Sequence, residues 1–160
     1  YDYDNNGNRV SESKLDNNLD VIYRTIYKYQ NGLIVEEATY TNGDKLESQI
    51  MRTFDFKNRL IVKTIFDSFD NSTDKEEFGY DDNNNTISWK VYKNEKLLSQ
   101  TTYIFDEKNN LINEITLDGN DEITNTKIID YLYDTKSNWI NKRTTVNGKT
   151  FFTSRKIEYY

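Results

Sequence analysis

A chain of 160 residues is about one domain long, and only 35% of it is hydrophobic although 14% is aromatic. That mixture excludes a disordered chain, which would be poor in aromatics, and it also excludes a thick two-layer core. The net charge of −6, with acids and bases interspersed, excludes the clustered basic footprint of a nucleic-acid binder, and no run approaches the ~20 apolar residues of a membrane span.

The chain opens on Tyr1-Asp2-Tyr3-Asp4, and this couple of aromatics flanking one residue returns down the whole sequence. It recurs as Tyr27/Tyr29, Phe54/Phe56, Phe78/Tyr80, Tyr103/Phe105, Tyr131/Tyr133 and, with one aliphatic, Ile157/Tyr159. The steps between first members are 26, 27, 24, 25, 28 and 26 residues, the regular period of an internal repeat. Behind each couple comes a polar stretch rich in Asn, Asp and Gly, at 4–8, 30–32, 57–59, 81–85, 106–110 and 134–138. These residues tolerate left-handed backbone, so each stretch is expected to reverse the chain.

Just past each reversal stands an apolar residue: Val10, Leu33, Leu60, Ile87, Leu111 and Trp139. In an antiparallel hairpin that residue is expected across from the second aromatic, where a cross-strand pair contributes about 0.2–1 kcal/mol. The outgoing strand then alternates, as in Leu60, Val62, Thr64 and Phe66, until a second set of turns at Asn42-Gly43, Asn94-Glu95, Asp118-Gly119 and Asn147-Gly148. Longer polar stretches at 16–18 and 70–74 take that place elsewhere. No stretch carries a helical stripe. The expected fold is all-β, an antiparallel up-down meander of about twelve strands from six two-strand repeats in a single domain over 1–160, forming an open twisted or curled sheet rather than a filled barrel.

Tyr1-Asp2-Tyr3-Asp4-Asn5-Asn6-Gly7-Asn8-Arg9-Val10 resembles the YD repeat of Rhs-type bacterial proteins, in which Tyr-x-Tyr-Asp is followed by two variable residues, Gly, then Asn or Arg and an aliphatic. The stretches from Tyr103 to Leu111 and from Tyr131 to Trp139 are similar to degenerate copies. The turn Gly survives as Gly7 and Gly32 and is lost elsewhere, Pro is absent altogether, and a toxin-enclosing shell of that family needs several times this length. The resemblance therefore implies a β-hairpin array at the bacterial surface or outside the cell, without encapsulation. A second, looser likeness joins Asn42-Gly43, Asn94-Glu95 and Asn147-Gly148 to bacterial variants of MORN repeats, some of which act as antitoxins or interaction modules.

Asp2, Asp4 and Asn6 with Gly7 match the first half of a calcium loop, but the twelfth place, where that loop needs Glu, is Ser13. The repeat itself also accounts for these residues. Trp89, Trp139, Tyr103, Tyr131 and Tyr133 are the candidate ligand-binding residues, because exposed rings on a sheet can stack on sugars or anchor a protein. The same rings serve packing equally well. Adjacent carboxylates such as Glu36/Glu37 point to opposite faces of a strand, and the chain has neither His nor Cys. No catalytic residue, cofactor or enzyme activity is therefore expected.

The expected function is a non-catalytic surface, periplasmic or secreted module that presents a rigid aromatic face to a protein or a surface glycan. The alternative is an immunity-like or assembly subunit of a larger complex. Edge-strand pairing with another chain is a further expected mode. Because residue 1 is a Tyr inside a repeat, a leader, first strand or lipid anchor is expected upstream.

Overall fold

The computed structural model describes residues 1–41 and 43–159, with β-strands and no helix among them. The strands are β1 (Asp2–Tyr3), β2 (Arg9–Leu15), β3 (Val21–Gln30), β4 (Leu33–Thr41), β5 (Leu46–Phe54), β6 (Leu60–Asp67), β7 (Ser72–Tyr80), β8 (Thr86–Lys93), β9 (Lys96–Phe105), β10 (Leu111–Asp118), β11 (Ile123–Tyr133), β12 (Trp139–Val146) and β13 (Lys149–Ser154). They form one sheet in strict chain order with β1 and β13 at its two ends, so the meander is open rather than closed into a barrel. Thirteen strands stand where about twelve were expected. The chain divides into two compact units, one of Tyr1–Glu77 with Val91–Lys96 and the other of Phe78–Lys90 with the residues from Leu97 on.

Thr, Ile, Val and Tyr fill the strands because branched and aromatic side chains pack well on a pleated surface. Within each unit the strands touch only their neighbours in the order. Few side chains can be enclosed that way, and among the described residues the buried apolar ones are Tyr27, Ala38 and Ile129. Cohesion instead comes from pairs that face each other across strands. The Thr25 and Thr39 hydroxyls bond at 3.0 Å, as do those of Thr101 and Thr116. Lys28 donates to Glu36 at 2.6 Å.

One loop recurs eight times among the described residues, opening at Asp4, Asp16, Thr41, Asp55, Asp81, Asp106, Asp118 and Asp134. In each, the N–H of the opening residue donates to the carbonyl four residues on, while its own carbonyl accepts from the N–H three residues on. That geometry demands left-handed backbone at the fourth place, which is filled by Gly7, Leu19, Asp44, Asn58, Asn84, Asn109, Asp121 and Ser137. Wherever the opening residue is Asp, its Oδ1 accepts the N–H of the fifth residue, as from Asn8 at 2.8 Å, Asn110 at 2.9 Å and Asn138 at 2.9 Å. Most also accept the third, as from Lys108 at 2.9 Å and Lys136 at 2.9 Å.

This loop corrects several expectations. Phe56 falls inside the loop at 55–59 and is 90% exposed, so Phe54 is the second aromatic of its repeat and Arg52 holds the first place. Asp118-Gly119, expected as a two-residue turn, belongs to this wider loop, because Asp118 engages the N–H groups of Asn120 and Glu122; the longer polar stretch expected at 16–18 is the same loop. True two-residue turns, with both central residues left-handed, occur at Asn31-Gly32, Asn94-Glu95 and Asn147-Gly148. The expected Asn42-Gly43 turn involves Asn42, which lies outside the described residues.

The column after the turn is confirmed at three places, where Phe54 faces Leu60, Phe105 faces Leu111 and Tyr133 faces Trp139. At Tyr3 the facing residue is Arg9 rather than Val10, because the loop there pairs its aromatic with the residue six places on, as at the three confirmed places; at Tyr29 it is Ile34 rather than Leu33, because the shorter turn at Asn31-Gly32 pairs Leu33 with Gln30. Ile157 and Tyr159 lie beyond β13, outside any strand.

Candidate binding face

Tyr131 and Tyr133 are two apart on β11 and therefore project to the same face. Trp139 begins β12 directly across from Tyr133. The three rings meet, with Tyr131 5.9 Å from Tyr133 and 6.2 Å from Trp139 between centroids, both at tilted angles. Such contacts add about 0.5–1.5 kcal/mol beyond the area they bury.

Cations cover this cluster. The Arg155 guanidinium lies 3.9 Å from the Trp139 ring, with Lys142 at 5.4 Å from the same ring. Arg155 also donates through Nε to the Trp139 carbonyl. Lys108 sits 3.6 Å from the Tyr133 ring. One repeat further on, Lys136 sits 3.8 Å from Tyr159 in the same relation.

The second tyrosine of a repeat is tied to the loop of the repeat before it. Tyr133 donates its hydroxyl to Oδ2 of Asp106 and accepts from Nδ2 of Asn110 at 2.9 Å. Tyr159 does the same with Asp134 and with Asn138 at 2.8 Å. A single Asp thus closes its own loop with one oxygen and holds the next repeat with the other. Tyr29 reaches back as well, but to the carbonyl of Arg9 at 3.0 Å.

These contacts shift the titrations. Burial, and after it the hydrogen bond and charge of Asp106, push the Tyr133 phenol up to about 12. Desolvation pushes the Asp106 carboxyl upward, yet the hydrogen bonds from Tyr133 and from the backbone N–H groups of Asn110 and Lys108 win and hold it below its ordinary value. Tyr131 is raised by burial and then by the charge of Asp106.

The other sequence candidates stand apart from this cluster. Trp89 lies parallel to Phe78, with centroids 6.5 Å apart and planes 5° apart. Tyr103 shares the face of Tyr131 but lies in the row of Glu114 and Lys127. Asp4 accepts from Asn6 N–H at 2.9 Å, Asn8 N–H at 2.8 Å and Asn8 Nδ2 at 2.9 Å, so turn donors occupy both its oxygens. Asp2 accepts from the Ser11 hydroxyl. Among the described residues no group of three or more His, Cys, Asp or Glu is placed to hold a metal ion.

Sequence reasoning missed the cations. Their signal was present, since Lys108 and Lys136 each stand two residues after a loop Asp, one repeat before the tyrosine they cover.

No protein-family model and no curated protein matches this chain. Among solved structures, a chain in the crystal structure of TcdB2-TccC3-Cdc42 is similar over 90% of this chain, at 14% identity and a TM-score of 0.49. This chain spans 10% of that chain's length.

Proposed function

We propose that this chain is a non-catalytic bacterial repeat module, displayed at the surface, in the periplasm or outside the cell, which binds a protein or a surface glycan through the Tyr131/Tyr133/Trp139 face. The observation that carries the reading is the joining of three part-exposed rings on one sheet face, ringed by Arg155, Lys142 and Lys108. Rings supply broad contact area with little rotamer entropy, and the cations supply donors for hydroxyl or carboxylate groups of a ligand. Arg155 lies on the Trp139 ring, so a ligand stacking there displaces it or adds to the cluster from the Tyr131 side.

Glycan-array and purified-partner binding with Trp139→Ala and Tyr131→Ala tests this. Loss of binding with an unchanged far-UV circular dichroism spectrum supports the aromatic face. Binding unaffected by both substitutions places the ligand elsewhere. Hydrolytic or transfer turnover at catalytic rates would end the non-catalytic reading. A second reading, an assembly or immunity-like subunit in a larger complex, draws on β13, whose six residues are all exposed and whose outer side has no partner strand among the described residues.

A further inference from the structure

The opposite face of the same strands is chemically different. The register of β9 to β13 places Leu98, Ile104, Ile123, Ile128, Leu132 and Phe152 on it, away from Tyr131. These are not residual exposures: Ile104 is 52% exposed, Ile128 49%, Leu132 56% and Phe152 79%. Together they expose on the order of several hundred Å², at or above the largest patch usual for a monomer and close to the ~800 Å² that each partner buries in a stable interface.

This face is also depleted of charge. Between Leu98 and Ser154 the charged strand residues on it are Asp130 and Arg143, in a chain that is 30% charged. They face each other in register and neutralise one another, with Arg143 Nε at 2.9 Å and Nη2 at 2.8 Å from the same Asp130 oxygen. The aromatic face of the same strands carries Glu114, Lys127, Lys142 and Lys149. Loss of charge at the centre of a patch is the compositional mark of an interface.

We propose that this aliphatic face is the interface between two copies of this chain, packed sheet on sheet about a two-fold axis. A two-fold interface must be complementary to itself. An apolar face with one internally neutral acid–base pair satisfies that condition, because the pair of one copy meets the reversed pair of its twin. A strongly charged partner finds no counter-charge here. Aligned sheets pack about 10 Å apart with interdigitated aliphatic side chains, and this face supplies such side chains. The net charge of −6 opposes self-association over the rest of the surface and leaves this neutral face as its place. The inference holds whether or not the aromatic face binds a ligand.

Sedimentation velocity of the whole chain from about 1 to about 200 µM tests it. A reversible dimer is expected, weakened at least about tenfold by Ile128→Glu or Leu132→Glu and unchanged by Lys142→Glu on the aromatic face. Should a Glu variant lose its β circular dichroism, Ile128→Thr keeps strand propensity and is expected to weaken the dimer several-fold. A monomer across the whole range would mean that a different chain covers this face, and would overturn the proposal. So would a dimer whose dissociation constant none of these substitutions on the aliphatic face moves.

Discussion

At the scale of single residues, the loop aspartates Asp106 and Asp134 each divide between their two oxygens two tasks that look like one motif. Asp106 closes its loop through Oδ1 and receives Tyr133 on Oδ2. Tyr133→Phe removes that second task together with the bond from Asn110 Nδ2 and leaves the loop closure intact, and a loss of about 1–2 kcal/mol is expected in a denaturant titration. The Tyr133 phenol, raised from 10.0 to about 12, makes a separate prediction. A group with a raised folded pKa stabilises fully below its unfolded value and loses that contribution as pH climbs to the folded one. Stability is therefore expected to fall between about pH 10 and 12, and an ultraviolet titration should show a late phenol that Asp106→Asn brings forward. Gly119 acts by a different mechanism, since a Cβ built there would stand 2.3 Å from the Leu97 carbonyl oxygen. Gly119→Ala should cost about 1–3 kcal/mol, measured as a lowered urea midpoint. A wild-type midpoint would mean that the two backbones separate freely.

At the scale of elements, the repeated loop makes the chain sensitive to acid. The Asp4, Asp55, Asp118 and Asp134 carboxyls are held below their ordinary value of 3.8, each with loop hydrogen bonds among the causes. For Asp118 the leading cause is the N–H of Asn120, followed by that of Glu122. Depressed carboxyls stabilise above the unfolded pKa and lose that contribution as pH falls through the folded one. Stability should accordingly drop below about pH 4, more steeply in the wild type than in Asp118→Asn, whose amide oxygen still accepts both N–H groups without titrating. The two-residue turns use their first residue differently. Asn147 accepts the Thr126 N–H at 2.8 Å while its own N–H donates to the Thr126 carbonyl at 3.0 Å. Asn94 repeats this with Thr73, at 2.7 Å for both bonds. Asn147→Gly keeps the left-handed backbone but gives up the side-chain bonds, that from Nδ2 to Asn125 Oδ1 at 3.2 Å included. A loss of about 0.5–1.5 kcal/mol is expected in thermal melts.

At the scale of the whole molecule, strands that within each unit touch only their neighbours give a stability that is a sum of local interfaces. Hydrogen exchange should then report damage locally. Gly119→Ala is expected to speed exchange in β9 to β11 and leave β3 to β5 near wild-type protection; uniform acceleration would mean that the sheet opens as one cooperative body.

Much of this architecture was legible in advance because a repeat states each local rule many times over. The aromatic couples, the Asn- and Asp-rich reversals and the alternation between them lead to an all-β meander without any knowledge of tertiary contacts. What misled was register. The kind of turn moved the facing place by one from Val10 and from Leu33, and a fortuitous Phe56 two residues past Phe54 imitated a couple although it sits in a loop. Neither leaves a mark in periodicity, since a shift of one residue is set by which left-handed place the loop needs. The partners of the site were likewise hidden. Residue order placed Tyr131 and Tyr133 on one face of a strand by the period of two alone, whereas the approach of Arg155 and Lys108 to their rings depended on how successive hairpins lie side by side. The amino-acid order thus determined the kind of element and the count of repeats, because those follow from local backbone preference. Only the tertiary structure decided which rings meet, which cations cover them and which face stays aliphatic, because those follow from how the strands pair, which brings together residues as distant as Trp139 and Arg155 or Asp106 and Tyr133.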